Sequence, residues 1–453
     1  MGESAEFTAR ASLSALGLKF QHLQVWAAVS EHVHIKQKIR QHAPLDKVLD
    51  CFINILAGGT GLVEINTRVR PDRVIQRAFG RATCAEQSTI SDTLNACTDA
   101  NVVQLRQAIQ VILHQHGQCA QHDYATAWQL FDVDVTGMPA GRQGEGVTKG
   151  YFAKQKNRRG RQLGRVLATY YDEIVVDRLY DGKRQLDASL CELVSLTEQA
   201  LNLNETRRKR TVLRIDGGGG DDKNINALLR RDYHLLIKIH NWRRAAKLAA
   251  SVSTWHTDPK VPEREVGWVE QAHEYVRPTH QLAIRKRKKN GDWSYHVLVS
   301  TLTNEMLAEI TEHANTGELS ATDSLFATLH LYDLRGGGLE TQNKSDKQGL
   351  GLAQRNKHRF AAQEMLVLLA QLAHNLVIWT RNDLAQVDQQ FEKYGIQRTV
   401  RDALQIPGFV QFDGQGRIQQ ITLNEHHPLA SSIQLAFRAS LPMNDLSLNL
   451  GKI

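Results

Sequence analysis

The chain has 453 residues, 42% hydrophobic and 23% charged, with 56 Lys and Arg against 48 Asp and Glu for a net charge of +8. That composition excludes a disordered tail and suffices for a large core divided among two or three domains. The positive balance suits a polyanionic partner, because neutralising phosphates releases counterions and gives affinity without sequence preference.

The five cysteines, Cys51, Cys84, Cys97, Cys119 and Cys191, contain no Cys-x-x-Cys pair, so neither a disulfide framework nor a zinc ribbon is expected. MGESAEFTARASLSALG has no basic segment ahead of an apolar core, and no stretch reaches the roughly 18 consecutive apolar residues of a membrane span. A soluble, cytoplasmic protein with no membrane partner is the expectation.

Residues 1–125 read as a helical N-terminal domain. Stretch 45–56 repeats apolar residues at helical spacing and stops at Gly58-Gly59. Stretch 86–94 turns Ile90 and Leu94 inward and offers Gln87, Ser88, Thr89 and Ser91 as short groups able to reach base edges or phosphates. A surface helix with a polar face accounts for it equally well, and the nearby Arg68, Arg70, Arg73, Arg77 and Arg81 tip the region towards DNA. His114, His116, Cys119 and His122 are zinc-capable, but their spacing fits no standard structural site. A helix end with polar histidines is the better account.

From Trp128 the periodicity becomes that of strands. WQLFDVDVTGMP is an apolar run with Asp134 near its end, followed by strand patterns at 163–171 and 173–181 and a helical one at 187–203. TVLRID ends in Asp216 and runs straight into Gly217, Gly218, Gly219 and Gly220. A helix, DDKNINALLRRD, and a strand at 233–240 complete this part. Three strands, a helix, a strand, a helix and a strand is the element order of a ribonuclease-H-like core. There the first strand and the end of the fourth are neighbours, so Asp134 and Asp216 are expected to meet. Asp132, two residues earlier on the same strand face, is a rival that strand physics alone does not separate from Asp134. Asp221 and Asp222 are better placed as helix caps than as ligands. No GxxxxGK[ST] follows the glycines, which leaves them to admit close approach of backbone and substrate. Lys154, Lys156, Arg158, Arg159 and Arg161 form a basic run between the first two strands, where a loop would grip duplex DNA.

Residues 241–323 read as a β-rich insertion. A helical start at 242–252 gives way to HQLAIRKRKK, the turn Asn290-Gly291 and DWSYHVLVSTLT, and Asn-Gly between alternating strands signals a hairpin. Arg285 and Arg287 in the basic run are candidate DNA contacts, with a solvated tip as the bland alternative. At least two of Trp255, Trp268 and Trp293 are expected in the insertion core, and one could stack on an unpaired base. Residues 324–380 resume the core with a helix bearing Glu340. Residues 381–453 read as a hairpin and a helix serving dimerisation or DNA contact.

Asp134, Asp216 and Glu340 are hard oxygen donors on rigid elements, the set a pair of Mg²⁺ ions needs with positions left for water and phosphate. On a helix Glu340, Asn343 or Lys344, and Lys347 share one face.

The order DxT on a first strand, RxDGG on a fourth, a β-rich insertion, and Tyr, Arg, Glu and Lys on a final helix resembles bacterial insertion-sequence transposases of the DDE superfamily. More narrowly, it resembles the branch with the tyrosine-arginine-glutamate-lysine signature. The resemblance covers most of the chain and implies an α/β fold: a helical N-terminal DNA-binding domain (1–125), then a ribonuclease-H-like catalytic core (126–240 and 324–380) interrupted by the insertion. It implies a catalytic, metal-binding triad at Asp134, Asp216 and Glu340, favours Asp134 over Asp132, and puts the signature's DNA-contacting residues at Tyr332, Arg335 and Lys347. It further implies Mg²⁺ as cofactor, with Mn²⁺ able to substitute, and double-stranded DNA as partner, both the element's terminal inverted repeats and the target. A homodimer in the DNA complex and a bacterial, nucleoid-associated location also follow. The implied activity is cleavage of the element ends and joining of the 3′ ends to target DNA. A non-catalytic DNA-binding protein and a structure-selective metal-dependent nuclease are the alternatives. One departure stands out: Gly336, Gly337, Gly338 and Leu339 lie between Arg335 and Glu340, one residue more than in similar proteins. The spacing from Glu340 to Lys347 is the usual one.

Overall fold

The structure, a computed structural model, describes residues 5–152, 157–311, 319–442 and 446–452. It is a mixed α/β protein whose chain divides into two compact units, Met1–Gly117 with Ala140–Val147 and Gln342–Ile453, and Gln118–Pro139 with Thr148–Thr341.

The first unit opens with β1 (Glu6–Thr8), α1 (Ala11–His22), α2 (Pro44–Leu56), α3 (Gln87–Ala96) and α4 (Asp99–His116). Pro44 starts α2 where its missing amide proton is not needed, and Gly58, at φ +73°, supplies the left-handed residue after its end. In α3, Ile90 and Leu94 are buried while Ser88 and Thr89 are exposed, the facing expected from the sequence. Arg81 is buried and bound to Asp46 and Asp50, Arg68 pairs with Glu64, and Arg73 pairs with Glu6. Three of the five arginines expected to favour DNA therefore neutralise acids of their own unit.

The second unit is built on β2 (Gln129–Pro139), β3 (Thr148–Lys149), β4 (Arg159–Ala168), β5 (Glu173–Asp181), α5 (Leu186–Leu201), β6 (Thr211–Ile215), α6 (Asp222–Leu229), β7 (His234–Lys238) and α7 (Trp242–Ala249). It continues through β8 (His256–Asp258), β9 (Val261–Trp268), β10 (His280–Arg287), β11 (Trp293–Ser300) and α8 (Ala321–Gly337), and ends in the first turn of α9 (Leu339–Gly349). Among the described residues ten strands join one sheet, in the order β3-β4-β2-β6-β7-β11-β10-β9-β8, with β5 also on β4. β2, β4 and β5 pair antiparallel, whereas β2–β6 and β6–β7 are parallel. Leu130, Val212, Leu236, Leu282 and Leu298 on one sheet face cluster with Leu325, Leu329 and Leu331 of α8. α5 packs on the β2–β4–β5 part of the sheet, and Gly219 lies under Leu190 of α5. Burial on both faces explains why these strands read as near-continuous apolar runs.

The expected insertion does not stand apart. β11 pairs with β7 from Leu298↔Lys238 to Ser300↔Leu236, so its strands extend the same sheet. The hairpin β10–β11 closes at Asn290-Gly291, with Gly291 at φ +89°. The basic run before β4 is not one loop: Arg158 is exposed, but Arg159 and Arg161 lie on β4 and Arg161 is buried. Lys154 and Lys156 lie outside the described residues.

The first unit resumes with the remainder of α9, α10 (Phe360–Val387), the hairpin β12 (Gly408–Phe412) and β13 (Ile418–Asn424), α11 (Ala430–Ser440) and β14 (Ser447–Gly451). α10 is long and apolar enough to cross a membrane by length and composition, yet its apolar stretch is wholly buried in the protein. β1 pairs with β12, joining sequence-distant segments in a four-stranded sheet.

Gly220 marks a close approach between backbones, because a Cβ there would lie 1.8 Å from the Lys238 carbonyl oxygen on β7. Gly220→Ala is expected to cost about 1–3 kcal/mol through forced backbone displacement, measured by chemical denaturation of the full chain. A stability equal to wild type would contradict the packing described.

Candidate functional site

The parallel pairing of β2 with β6 runs from Gln129↔Thr211 to Val133↔Ile215. The next residues are Asp134 and Asp216, on strands whose axes are about 4.8 Å apart. β6 stops there, and the Asp216 carboxylate turns back to accept the Gly218 amide at 2.8 Å, capping the turn Gly217–Gly219. β2 continues alongside β4 only. The two carboxylates thus sit where neighbouring parallel strands part, at the carboxyl ends where open α/β sheets bind ligands.

Two residues earlier on each strand, Asp132 faces Arg214 across the same pair of strands. Arg214 Nε and Nη2 donate to Asp132 Oδ1 and Oδ2 at 2.7 and 2.8 Å, and both residues are fully buried. Arg214 Nη1 donates to the Leu331 carbonyl of α8 at 2.7 Å. This bidentate pair consumes Asp132, separating it from Asp134 in a way that strand pattern could not. It also hooks α8 to the two strands one turn ahead of Arg335. Arg264 on β9 holds the same helix through Asp333, at 3.0 Å from Nη1 to Oδ1.

The signature residues do not share one helix. Tyr332 and Arg335 lie on α8, Glu340 and Lys347 on α9, and the break falls at Gly338, whose ψ of −100° is not helical. Among the extra glycines of this segment, Gly336 and Gly337 face open space. Leu339 is buried against Leu167 and Ile174, and this apolar anchor fixes the start of α9. Glu340 then reaches back to Arg335, with Oε1 at 3.6 Å from Nη1, while Arg335 Nη2 lies 3.4 Å from Asp134 Oδ1. Arg335 is 5% exposed, yet its Nε and Nη2 carry no hydrogen bond.

Burial, reinforced by the negative charges of Asp216 and Glu340, pushes the Asp134 carboxyl from the ordinary 3.8 up to about 7, against the pull of Arg335 and the Val135 amide. Burial chiefly sets the neighbours as well: it pushes the Tyr332 phenol well above its usual range and pulls the Lys238 ammonium down, although Asp216 opposes the latter. The carboxylates of Asp134 and Glu340 both approach the Arg335 guanidinium, and Asp216 acts on it through space. Among the described residues no three His, Cys, Asp or Glu side chains draw close enough to hold an ion as they stand. The donor set nonetheless fits a divalent cation in kind: three carboxylates on three elements, one of them raised chiefly by burial and further by its neighbours' charge.

The other expected residues lie elsewhere. Lys344 is exposed and Lys347 half-buried on the part of α9 belonging to the first unit; Gln87, Ser88 and Thr89 belong to that unit too. Ser88 Oγ hydrogen-bonds the Glu86 carboxylate, and Thr89 Oγ1 donates to the Glu86 carbonyl. Asp221 caps α6 by accepting from the Asn224 amide, and Asp222 pairs with Arg244. His122 Nδ1 is 2.7 Å from the Tyr171 hydroxyl. Arg285 is stacked between Trp255 and Trp293, 4.2 and 4.6 Å from the ring centres, and pairs with Glu265. Trp268 packs on an apolar core cluster, while Trp255 and Trp293 are half-buried and face Arg285. Arg287 is exposed beside Trp293. Arg214 escaped sequence reasoning, although its place two residues before Asp216, matching Asp132 before Asp134, was the available signal.

No family model matches the chain, and no curated protein matches it. Among solved structures it is similar to a cryo-electron microscopy structure of the piggyBac transposase synaptic complex with hairpin DNA, at a TM-score of 0.47 and 12% identity, over 89% of this chain and 82% of that chain.

Two outcomes follow from the buried charges. Arg214→Met strands the Asp132 carboxylate and is expected to cost about 3–5 kcal/mol, whereas replacing both partners by apolar residues of similar volume recovers most of it. Equal stability of wild type and R214M in denaturant titrations would contradict the pairing. The folded chain holds the Asp134 proton more tightly than the unfolded chain, so its contribution to stability is full below pH 3.8 and is lost as pH rises to about 7. Asp134→Asn removes that loss. In EDTA, its melting temperature is expected to gain on wild type across this interval, and parallel curves would count against the assignment.

Proposed function

We propose that this chain is a DNA transposase of the DDE kind, built on a ribonuclease-H-like core. It binds the ends of an insertion sequence, cleaves them by cation-dependent phosphodiester hydrolysis and joins the 3′ ends to target DNA. The observation that carries this reading is the placement of Asp134 and Asp216 at adjacent ends of the parallel strands β2 and β6, with Glu340 and Asp134 both reaching Arg335. The strand order β5-β4-β2-β6-β7, three antiparallel strands followed by two parallel ones, supports the ribonuclease-H-like core.

Asp134, Asp216 and Glu340 would hold Mg²⁺, or Mn²⁺ in its place. Bound there, the cation supplies Lewis-acid polarisation of a phosphoryl oxygen and lowers the pKa of water at the site. The chain's own residues bind and orient the DNA. Arg335, with buried donors that carry no hydrogen bond, offers a fork suited to a non-bridging phosphate oxygen. Tyr332 keeps its phenolic proton, since burial raises it well above the usual range, and so acts as a donor. Asp132 and Arg214 position rather than react: their pair sets the spacing of the strands that carry the two aspartates. Handling two element ends requires two such sites, hence a homodimer on the DNA.

The test is a cleavage and strand-transfer assay with the full chain, Mg²⁺ or Mn²⁺, and DNA carrying the inverted repeats that flank its coding sequence. Asp134→Ala, Asp216→Ala and Glu340→Ala are each expected to drop cleavage to background while DNA binding persists. Cation-dependent cleavage retained by all three overturns the reading.

A further inference from the structure

A cleft of about 500 Å³ opens in the first unit, beside the start of α3. Its walls carry Lys38, Arg40, Lys47 and Arg70, with Glu86 and Asp92 as its acidic members. None of the four cations forms an ion pair among the described residues, unlike Arg68, Arg73 and Arg81. Lys47 is the least accessible of the four at 8% exposure, and its hydrogen bond, at 3.2 Å, goes to the neutral side-chain amide of Gln37. A buried ammonium that meets only a neutral acceptor is costly unless an anion completes its shell. Arg40 and Arg70 are exposed at the mouth and offer planar forks suited to phosphate oxygens. Glu86 accepts a hydrogen bond from Ser88, and Arg70 acts on its carboxylate only as a lesser charge through space.

We infer that this cleft grips consecutive backbone phosphates of double-stranded DNA through Lys38, Arg40, Lys47 and Arg70. The duplex is argued from what adjoins it: Thr89 lies in the wall, and next to it on α3 stand Gln87 and exposed Ser88, short polar groups of the kind that reach base edges or phosphates. The inference rests on the DNA-binding part of the proposed function, but not on its chemistry. Of the arginine run 68–81 it keeps Arg70 and joins it to Lys38, Arg40 and Lys47 from other segments.

The experiment measures binding of the full chain to a fluorescein-labelled duplex of random sequence by anisotropy, in EDTA, across a salt series. The Arg40→Ala/Arg70→Ala double variant changes two exposed side chains and should fold normally. It is expected to bind more weakly, with the slope of log affinity against log salt shallower by about two, one for each phosphate charge left unneutralised. Lys47→Met should weaken binding in the same sense. Unchanged affinity and slope in the double variant overturn the inference. So does a melting-temperature rise with inorganic phosphate that the double variant loses while duplex affinity stays the same, since the cleft is then a small-anion site. The assay is run in EDTA and reads binding with no cleavage, so failure of the cleft and failure of the cleavage chemistry are read separately.

Discussion

The parallel pairing of β2 with β6 is the constraint on which the candidate site depends. Strand pairing fixes register to the residue, and a slip by one would turn Asp134 and Asp216 to the opposite sheet face. Two things hold the register. Apolar side chains above and below the sheet resist the slip, and the buried Asp132–Arg214 pair locks it two residues before the acidic pair. A buried ion pair is weak evidence of net stability, since desolvation offsets most of its attraction. Its value here is geometric: it recognises one register, and through the Leu331 carbonyl it recognises one placement of α8.

From that placement the rest follows in order. α8 presents Arg335 to Asp134, the chain breaks at Gly338, and Leu339 plugs into the apolar contact with Leu167 and Ile174. Glu340 is thereby turned towards the same guanidinium. A Cβ on Gly338 would stand 3.2 Å from Asp132 Oδ2, so the break also lies against the buried pair. The Asp134 carboxyl is pushed up to about 7, the electrostatic consequence of gathering acids in a poorly solvated corner with one guanidinium to balance them. Perturbation of this kind concentrates at functional sites, where charge is arranged to receive a ligand.

Much of this was legible in the sequence where local chemistry decides structure. Period-two runs and Asn290-Gly291 gave the strands and the hairpin, and the strand 173–181 matches its expected span. Element order alone brought Asp134 beside Asp216. What was not legible depends on contacts distant in the chain. Nothing local distinguishes Asp132 from Asp134; Arg214 does. The signature pattern reads as one helix because glycines 336–338 can continue one, and only the Leu339 contact shows why it breaks. Arg161 reads as part of a basic loop until β4 buries it, and Trp255 and Trp293 read as core until Arg285 is found between them. The joining of β11 to β7, which makes the insertion part of the main sheet, likewise has no local signal.

Asp134, Asp216 and Glu340 are proposed to hold one cation together. Electron paramagnetic resonance of Mn²⁺ titrated into the full chain measures it most directly, with Asp134→Asn, Asp216→Asn and Glu340→Gln alongside. Saturable Mn²⁺ binding that each of the three substitutions weakens is the result this account predicts. Mn²⁺ binding that is absent from wild type, or unchanged in all three variants, would contradict it.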